Sequence, residues 1–339
     1  MNLLVTGGAG FIGSNFIRYM FGKYSDIKIV NYDKLTYAGN LENLKDIEND
    51  GRYKFVLGDI VDASKLHSTV KTEKIDHIVN FAAETHVDRS IHLSSQPFIM
   101  TNVVGVHTIL EIVKKTGIEK FVQISTDEVY GSLDLDSETK FTENTPLAPN
   151  VPYSAAKASG DLLCRAYYHT YGTPVLITRC SNNFGPYQYP EKLIPFFTLR
   201  AMQDMPLTIY GDGKNVRDWI HAEDHCSAID KVMSEGKIGD IYNIGANNER
   251  NNLEITKLIL EILEKPESLM TFVKDRPGHD RRYAIDSSKM ESELGWKPKY
   301  RTENFKKALT DTVEWYKVNG KWIENIQKKA KLDPLTNWS

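Results

Sequence analysis

Cysteine is scarce in this chain: three in 339 residues, at Cys164, Cys180 and Cys226. None stands in a C-x-x-C pair, and no histidine lies at zinc-ligand spacing from them. A disulfide scaffold and a structural zinc site are thereby excluded as organising principles, and no metal site is expected. The three read as reduced, buried thiols of a cytoplasmic protein. Charge of one sign is lacking too. The 42 basic and 45 acidic residues leave a formal net charge of −3. Nucleic acid or an anionic membrane surface would demand a basic excess. No unbroken apolar run reaches the length of a membrane span, and no repeat or low-complexity tract stands out. The first apolar segment begins almost at Met1, leaving no room for a secretory signal. What is present is 41% hydrophobic and 26% charged residues, ordinary for a globular chain long enough to build two lobes.

The first half alternates strand-like and helix-like segments. Leu3–Val5, Lys28–Tyr32, Tyr53–Val56, His77–Phe81 and Lys120–Ile124 read as strands, with helical patterns between them, notably Phe98 to Lys115. This is the βαβ signature of a doubly wound parallel sheet. Near residue 180 prolines 186, 190, 195 and 206 interrupt the pattern, although Val175–Thr178 still reads as a core strand. The expected α/β architecture is a Rossmann-type domain over residues 1–180, to which later segments return. A smaller, mainly C-terminal α/β substrate lobe follows over 181–330, and then a loosely held tail, 331–339.

Thr6-Gly7-Gly8-Ala9-Gly10-Phe11-Ile12-Gly13 joins the first strand to a helix. In that setting Gly7 permits the tight turn and Gly10 lets the backbone approach a pyrophosphate. Gly13 lets the helix pack on the strand, and the helix N-terminus presents N–H groups to the anion. Asp33 ends the second strand, where a carboxylate accepts hydrogen bonds from an adenosine ribose and repels a 2′-phosphate. NAD is therefore favoured over NADP. Tyr153 and Lys157, four apart in a helical run from Ser154 to Tyr171, share one helix face. A nearby ammonium is expected to lower the tyrosine pKa towards neutrality, making a general base for an alcohol being oxidised. At the end of the Lys120–Ile124 strand, Ser125 and Thr126 precede the adjacent carboxylates Asp127 and Glu128. Two acids so placed divide acid and base work if their environments separate their pKa values.

Thr6 to Gly13 together with Tyr153 and Lys157 resembles the extended short-chain dehydrogenase/reductases, the nucleotide-sugar enzymes among them. Longer stretches are similar to the dTDP-glucose 4,6-dehydratases of that family: Asp33–Asn40, Ala82–Ser90, Ile124–Gly131, Cys180–Gln188, Glu191–Pro195 and Asp275–Arg282. The likeness runs nearly the whole chain, to about Ala330. It implies a redox cycle closed within one site. Tyr153 takes the proton of the sugar 4-hydroxyl while the C4 hydride passes to NAD, and Thr126 hydrogen-bonds the same oxygen. Glu128 takes the C5 proton, Asp127 protonates the departing 6-hydroxyl, and the hydride returns to C6.

The resemblance also implies further contacts. Phe11, Ile12, Asp33, Lys34, Leu35, Thr36, Asp59, Ile60, Ala82, Ala83, Thr101, Tyr153, Lys157 and Asn183 match cofactor positions. Thr85, Asn182, Lys192 and Leu193 match substrate positions. Thr85 stands where serine is common, and Ala156 also replaces a frequent serine. Thr208, Ile209 and Tyr210 match the base pocket, and Arg217, Asn252, Arg276 and His279 the nucleotide and diphosphate end. A homodimer through a four-helix bundle is implied, with Phe98–Lys115 and Ser154–Tyr171 as its helices. A sugar-nucleotide 4-epimerase would need Tyr153, Lys157 and Thr126 but not the carboxylate pair. A GDP-mannose dehydratase would not call for the thymidine-pocket matches. A non-catalytic NAD-binding sensor would not need the five catalytic side chains.

Overall fold

The computed structural model describes residues 1–275 and 277–330. In the first part of the chain, β1 (Asn2–Thr6), α1 (Phe11–Lys23), β2 (Lys28–Asp33), β3 (Tyr53–Leu57), α2 (Ala63–Thr72) and β4 (His77–Asn80) come in turn. They are followed by α3 (Val87–His92), α4 (Gln96–Ile99), α5 (Val106–Lys115), β5 (Lys120–Thr126), α6 (Pro152–Tyr171) and β6 (Val175–Cys180). The remainder forms β7 (Asn182–Phe184), α7 (Leu193–Met202), β8 (Leu207–Tyr210), β9 (Val216–His221), α8 (Ala222–Glu235) and β10 (Ile241–Ile244). Then come β11 (Glu249–Asn251), α9 (Asn252–Ile262), β12 (Met270–Val273), α10 (Ser288–Leu294), α11 (Phe305–Val318) and α12 (Gly320–Ala330).

Seven strands make one parallel sheet in the order β10-β6-β5-β4-β1-β2-β3. The reversal of direction beside β1 is the switch point at which doubly wound folds bind ligands. The central strands are mainly apolar on both faces because helices cover both. Leu3 and Val5 face one core with Phe16, Ile17 and Ile229. Leu4, between them, faces the other with Leu66, Ile109 and Cys164. This alternation is the two-residue period of a strand. All three cysteines are buried and unbridged.

β10 returns to the main sheet from residue 241 onwards. A separate core, containing Phe184, Phe196, Leu207, Ile255, Phe305 and Tyr316, gathers around α7, α9 and α11. The small sheets β11-β9-β7 and β12-β8 lie in this part of the chain.

One expectation is corrected. α4, a π-helical stretch from Met100 to Gly105 and α5 run together as a 20-residue helix, Gln96–Lys115, long and apolar enough by length and composition to cross a membrane. Polar and small residues such as Thr101, Asn102 and Gly105 break the apolar run of letters, but the helix winds through them. Half of its most apolar window is buried inside the protein, where α5 packs on α6 and α2.

Candidate active site

The site lies where the parallel strands end. After β1, Gly7 takes φ +70°, and a Cβ there would sit 2.5 Å from the backbone nitrogen of Ala82. Only glycine fits so close to the chain leaving β4. A Cβ on Gly13 would fall 2.5 Å from the Gly7 carbonyl oxygen, so α1 packs directly on the turn. No side chain caps α1 at Gly10, and the N–H groups of a first helical turn are those that a helix cannot satisfy internally. Asp33 clamps the turn to the end of β2: Oδ2 accepts from Ala9 N at 2.9 Å and Oδ1 from Leu35 N at 2.7 Å. Beside it, Lys34 Nζ pairs with Asp59 Oδ2 at 2.6 Å.

These residues form one end of a cavity of about 420 Å³. Gly7, Gly10, Phe11, Ile12, Gly13, Asp33, Lys34, Thr36, Asp59, Ile60, Ala82, Ala83, Thr101 and Asn183 all line it. Leu35 does not. Its backbone sits at φ 55° with its N–H held by Asp33, so it shapes the turn rather than the wall. A side-chain-free cradle at Gly7, an open helix start and a carboxylate at the end of β2 fit a dinucleotide such as NAD.

The middle of the cavity is built by β5 and α6. Thr126, the last residue of β5, accepts from Glu128 N at 3.3 Å through Oγ1 and lies 3.3 Å from Asp127 Oδ1. A single 3-10 turn, Asp127–Tyr130, thus carries both carboxylates. Pro152 starts α6, where its fixed φ suits the first helical position. Tyr153 follows, and Lys157 comes one turn later. Lys157 Nζ donates to the Ile124 carbonyl at 2.6 Å, tying α6 to β5. Tyr153 packs edge-on against Phe98, with ring centroids 6.3 Å apart. Thr126, Asp127, Glu128, Tyr153 and Lys157 all line the same cavity as the glycine turn.

Burial distinguishes the two acids, Asp127 being buried and Glu128 half-buried. Burial, then the charges of Glu128 and Asp218, push the Asp127 carboxyl well above its ordinary range, against a smaller pull from Arg217. Asp218 is itself fixed, accepting from Ala246 N at 3.1 Å and Asn248 N at 2.7 Å. Burial and like charge therefore favour the protonated form of Asp127. Tyr153 departs from expectation. Burial, then Glu128, Cys180 and Asp127, raise its pKa, and only the hydrogen bond from Thr126 opposes them. Burial also lowers the pKa of Lys157, against the opposing charge of Asp161. Two dry groups beside two carboxylates cannot reproduce the pairing expected of a solvated Tyr–Lys pair.

Thr85, Asn182, Lys192, Leu193, Thr208, Ile209, Tyr210, Arg217, Asn252 and His279 line the cavity as well. Lys192 Nζ donates to the Thr85 carbonyl at 3.0 Å. Arg217 stacks on Tyr283 at 4.1 Å and donates to the Asp280 carbonyl at 3.0 Å. His279 Nδ1 lies 2.6 Å from Asp275 Oδ1. Arg276 and the tail 331–339 fall outside the described residues.

Sequence reasoning missed Glu191, Trp219 and Tyr283, which share this wall. Trp219 was accessible, since it lies two residues after Arg217 on the same face of β9. Glu191 is half-buried in the cavity wall, its carboxyl raised chiefly by burial, and accepts from Tyr37 Oη at 2.9 Å. That contact spans 154 residues, a separation that no local pattern reports.

The family described as GDP-mannose 4,6 dehydratase matches residues 4–309. The chain is 48% identical to a dTDP-glucose 4,6-dehydratase of Xanthomonas campestris pv. campestris strain B100, over 95% of each protein. A crystal structure of dTDP-glucose 4,6-dehydratase from Bacillus anthracis str. Ames in complex with NAD superposes with a TM-score of 0.89 at 52% identity, covering 96% of this chain and 99% of that one. The dTDP-glucose 4,6-dehydratase of Streptomyces venezuelae, solved with NAD bound, gives 0.91 at 47% identity, covering 96% and 100%.

Proposed function

The chain belongs to the dTDP-glucose 4,6-dehydratases, and from that premise we propose that Thr126, Asp127, Glu128, Tyr153 and Lys157 divide the work of one reaction. The protein is an NAD-dependent hydro-lyase that converts dTDP-glucose to dTDP-4-dehydro-6-deoxy-glucose and water. NAD, when bound, accepts the hydride from C4 and gives it back at C6, so none is consumed. The turn from Gly7 to Gly13 and Asp33 hold it.

Tyr153 removes the proton of the 4-hydroxyl, and Thr126 hydrogen-bonds the same oxygen. The raised pKa of Tyr153 makes the phenolate a strong base that needs a positive neighbour. Lys157, one helical turn along α6, supplies that positive charge, to which a bound oxidised cofactor would add. With C4 a ketone, the C5 proton is acidic, and Glu128 takes it. Asp127, still protonated, gives its proton to the departing 6-hydroxyl, and water leaves across C5–C6. C5 is reprotonated as C6 is reduced.

The observation that carries this reading is the unequal burial of two adjacent carboxylates in one cavity with the Tyr153–Lys157 helix. Lys192, Leu193 and Asn182 hold the sugar. Tyr210 stacks on the base, with Thr208 and Ile209 beside it, and Arg217, Asn252, Arg276 and His279 take the diphosphate end. Residues 1–180 with the returning β10 act as the cofactor lobe, and most of 181–330 as the substrate lobe. Two copies pair through α4–α5 and α6, whose exposed Ile99, Met100 and Leu162 supply an apolar seam. The protein works in the cytoplasm, and its product feeds deoxysugars such as dTDP-rhamnose.

The direct test is mass spectrometry of dTDP-glucose incubated with purified protein, first without and then with added NAD. Loss of one water without accumulation of reduced cofactor is expected. Unchanged mass with conversion to a dTDP-galactose mixture would instead establish a 4-epimerase.

A further inference from the structure

Beneath the catalytic turn lies a buried polar cluster that none of these steps uses. Arg179, in β6, is 3% exposed. Its Nε donates to Asp161 Oδ2 at 2.9 Å, and its Nη1 donates to Tyr130 Oη at 2.9 Å. The guanidinium also stacks on the Tyr130 ring, 4.8 Å from the centroid. Tyr130 Oη donates in turn to Asn243 Oδ1 of β10 at 2.7 Å, so the phenol is both acceptor and donor.

The positions of these partners give the cluster its meaning. Tyr130 closes the same 3-10 turn that begins with Asp127 and Glu128. Asp161 lies on α6 four residues beyond Lys157, and its charge opposes the burial penalty on that ammonium. One guanidinium therefore touches the element carrying the elimination pair and the element carrying Tyr153 and Lys157. A buried ion pair is a weak source of stability, because desolvation consumes most of the attraction. A rigid, planar fork with two fixed partners is a strong source of geometry.

We propose that Arg179, through Tyr130 and Asp161, is a positioning residue that keeps Asp127 and Glu128 in register with Tyr153 and Lys157. This rests on the roles proposed above for those four side chains.

Tyr130→Phe is the mildest test. It removes one hydroxyl and keeps the ring that stacks on Phe141, with centroids 5.1 Å apart. Arg179→Lys keeps the charge and loses the fork. In the holoenzyme both variants should lower kcat by about tenfold to a hundredfold with KM for dTDP-glucose unchanged. In a single turnover, C4 oxidation should keep its rate while C5 solvent-deuterium exchange and water loss slow, so reduced-cofactor absorbance persists longer. Thermal melts establish that the variants compared are folded. Wild-type kcat in folded Tyr130→Phe, or equal slowing of oxidation and elimination, would overturn the proposal. Asp127→Asn and Glu128→Gln run beside them separate the layers. If those two stall elimination and Tyr130→Phe does not, only the brace is wrong. If they eliminate at the wild-type rate, the assigned roles fall and the brace falls with them.

Discussion

Asp127 and Glu128 are consecutive in the chain yet occupy different environments: Asp127 is 1% exposed, whereas Glu128 is half-buried at the cavity wall. The 3-10 turn that starts at Asp127 sends one side chain under Thr126 and leaves the other at the surface of the cavity. Neighbouring residues of one chemical type thereby differ in burial, the difference on which their proposed division of acid and base work rests.

Asp127→Asn should slow loss of water while leaving C4 oxidation intact. A substrate analogue with a better leaving group at C6 should recover the rate, as read by single-turnover product analysis. The same variant should gain stability at neutral pH. A buried carboxyl whose pKa is raised on folding binds more protons folded than unfolded, so stability falls as pH rises above the unfolded value of about 3.9. The Tm advantage of Asp127→Asn should therefore grow from about pH 4 upwards and vanish below it. A constant difference across that range would contradict the protonated state of Asp127.

Glu128→Gln should permit C4 oxidation and stop there. Solvent deuterium should not enter C5, and reduced-cofactor absorbance should persist. Deuterium incorporation at the normal rate would assign the C5 proton to another base.

Tyr153→Phe should remove about 10²–10⁴ from the rate of the first hydride transfer, the usual worth of a positioned general base. Because burial and Glu128 raise the phenol pKa, ultraviolet titration of the cofactor-free protein should show Tyr153 ionising above an ordinary tyrosine. NAD should bring it down. A free-protein pKa near neutrality would show that Lys157 alone does the tuning.

Asp33→Ala should cost about 1–3 kcal/mol of stability, since it leaves the buried Ala9 N–H and the half-buried Leu35 N–H without their acceptor. NAD affinity should fall with it. Asp33→Asn keeps one acceptor and loses the charge, and calorimetric titration should show reduced discrimination against NADP.

Ile99→Glu combined with Leu162→Glu should convert a dimer to a monomer in sedimentation velocity, because two charges would enter an apolar seam. Wild-type protein sedimenting as a monomer at micromolar concentration would remove the proposed pairing outright.

Much of this was legible in the letters. The strands Leu3–Val5 and Lys120–Ile124 announce themselves because strands covered on both faces are rich in apolar residues, Phe121, Val122 and Ile124 in the second. The glycine turn is visible because each glycine answers a local steric demand. Tyr153 and Lys157 are visible because four residues make one helical turn. The helix over Phe98–Lys115 was legible too and begins two residues earlier, at Gln96; only its length as a membrane-spanning candidate was hidden, because Thr101, Asn102 and Gly105 break the apolar run of letters.

The sequence by itself determined the local grammar: which segments are strands, where the dinucleotide turn lies, and which side chains are chemically able to act. These follow from short-range sterics and periodicity. The tertiary structure alone decided the states of those side chains. Whether Asp127 holds its proton, whether Tyr153 is lowered or raised, and that Arg179 joins Tyr130 to Asp161 depend on burial and on charges brought together from β5, α6, β6 and β9. Desolvation and Coulomb interaction act across space, and the order of residues along the chain does not carry those distances.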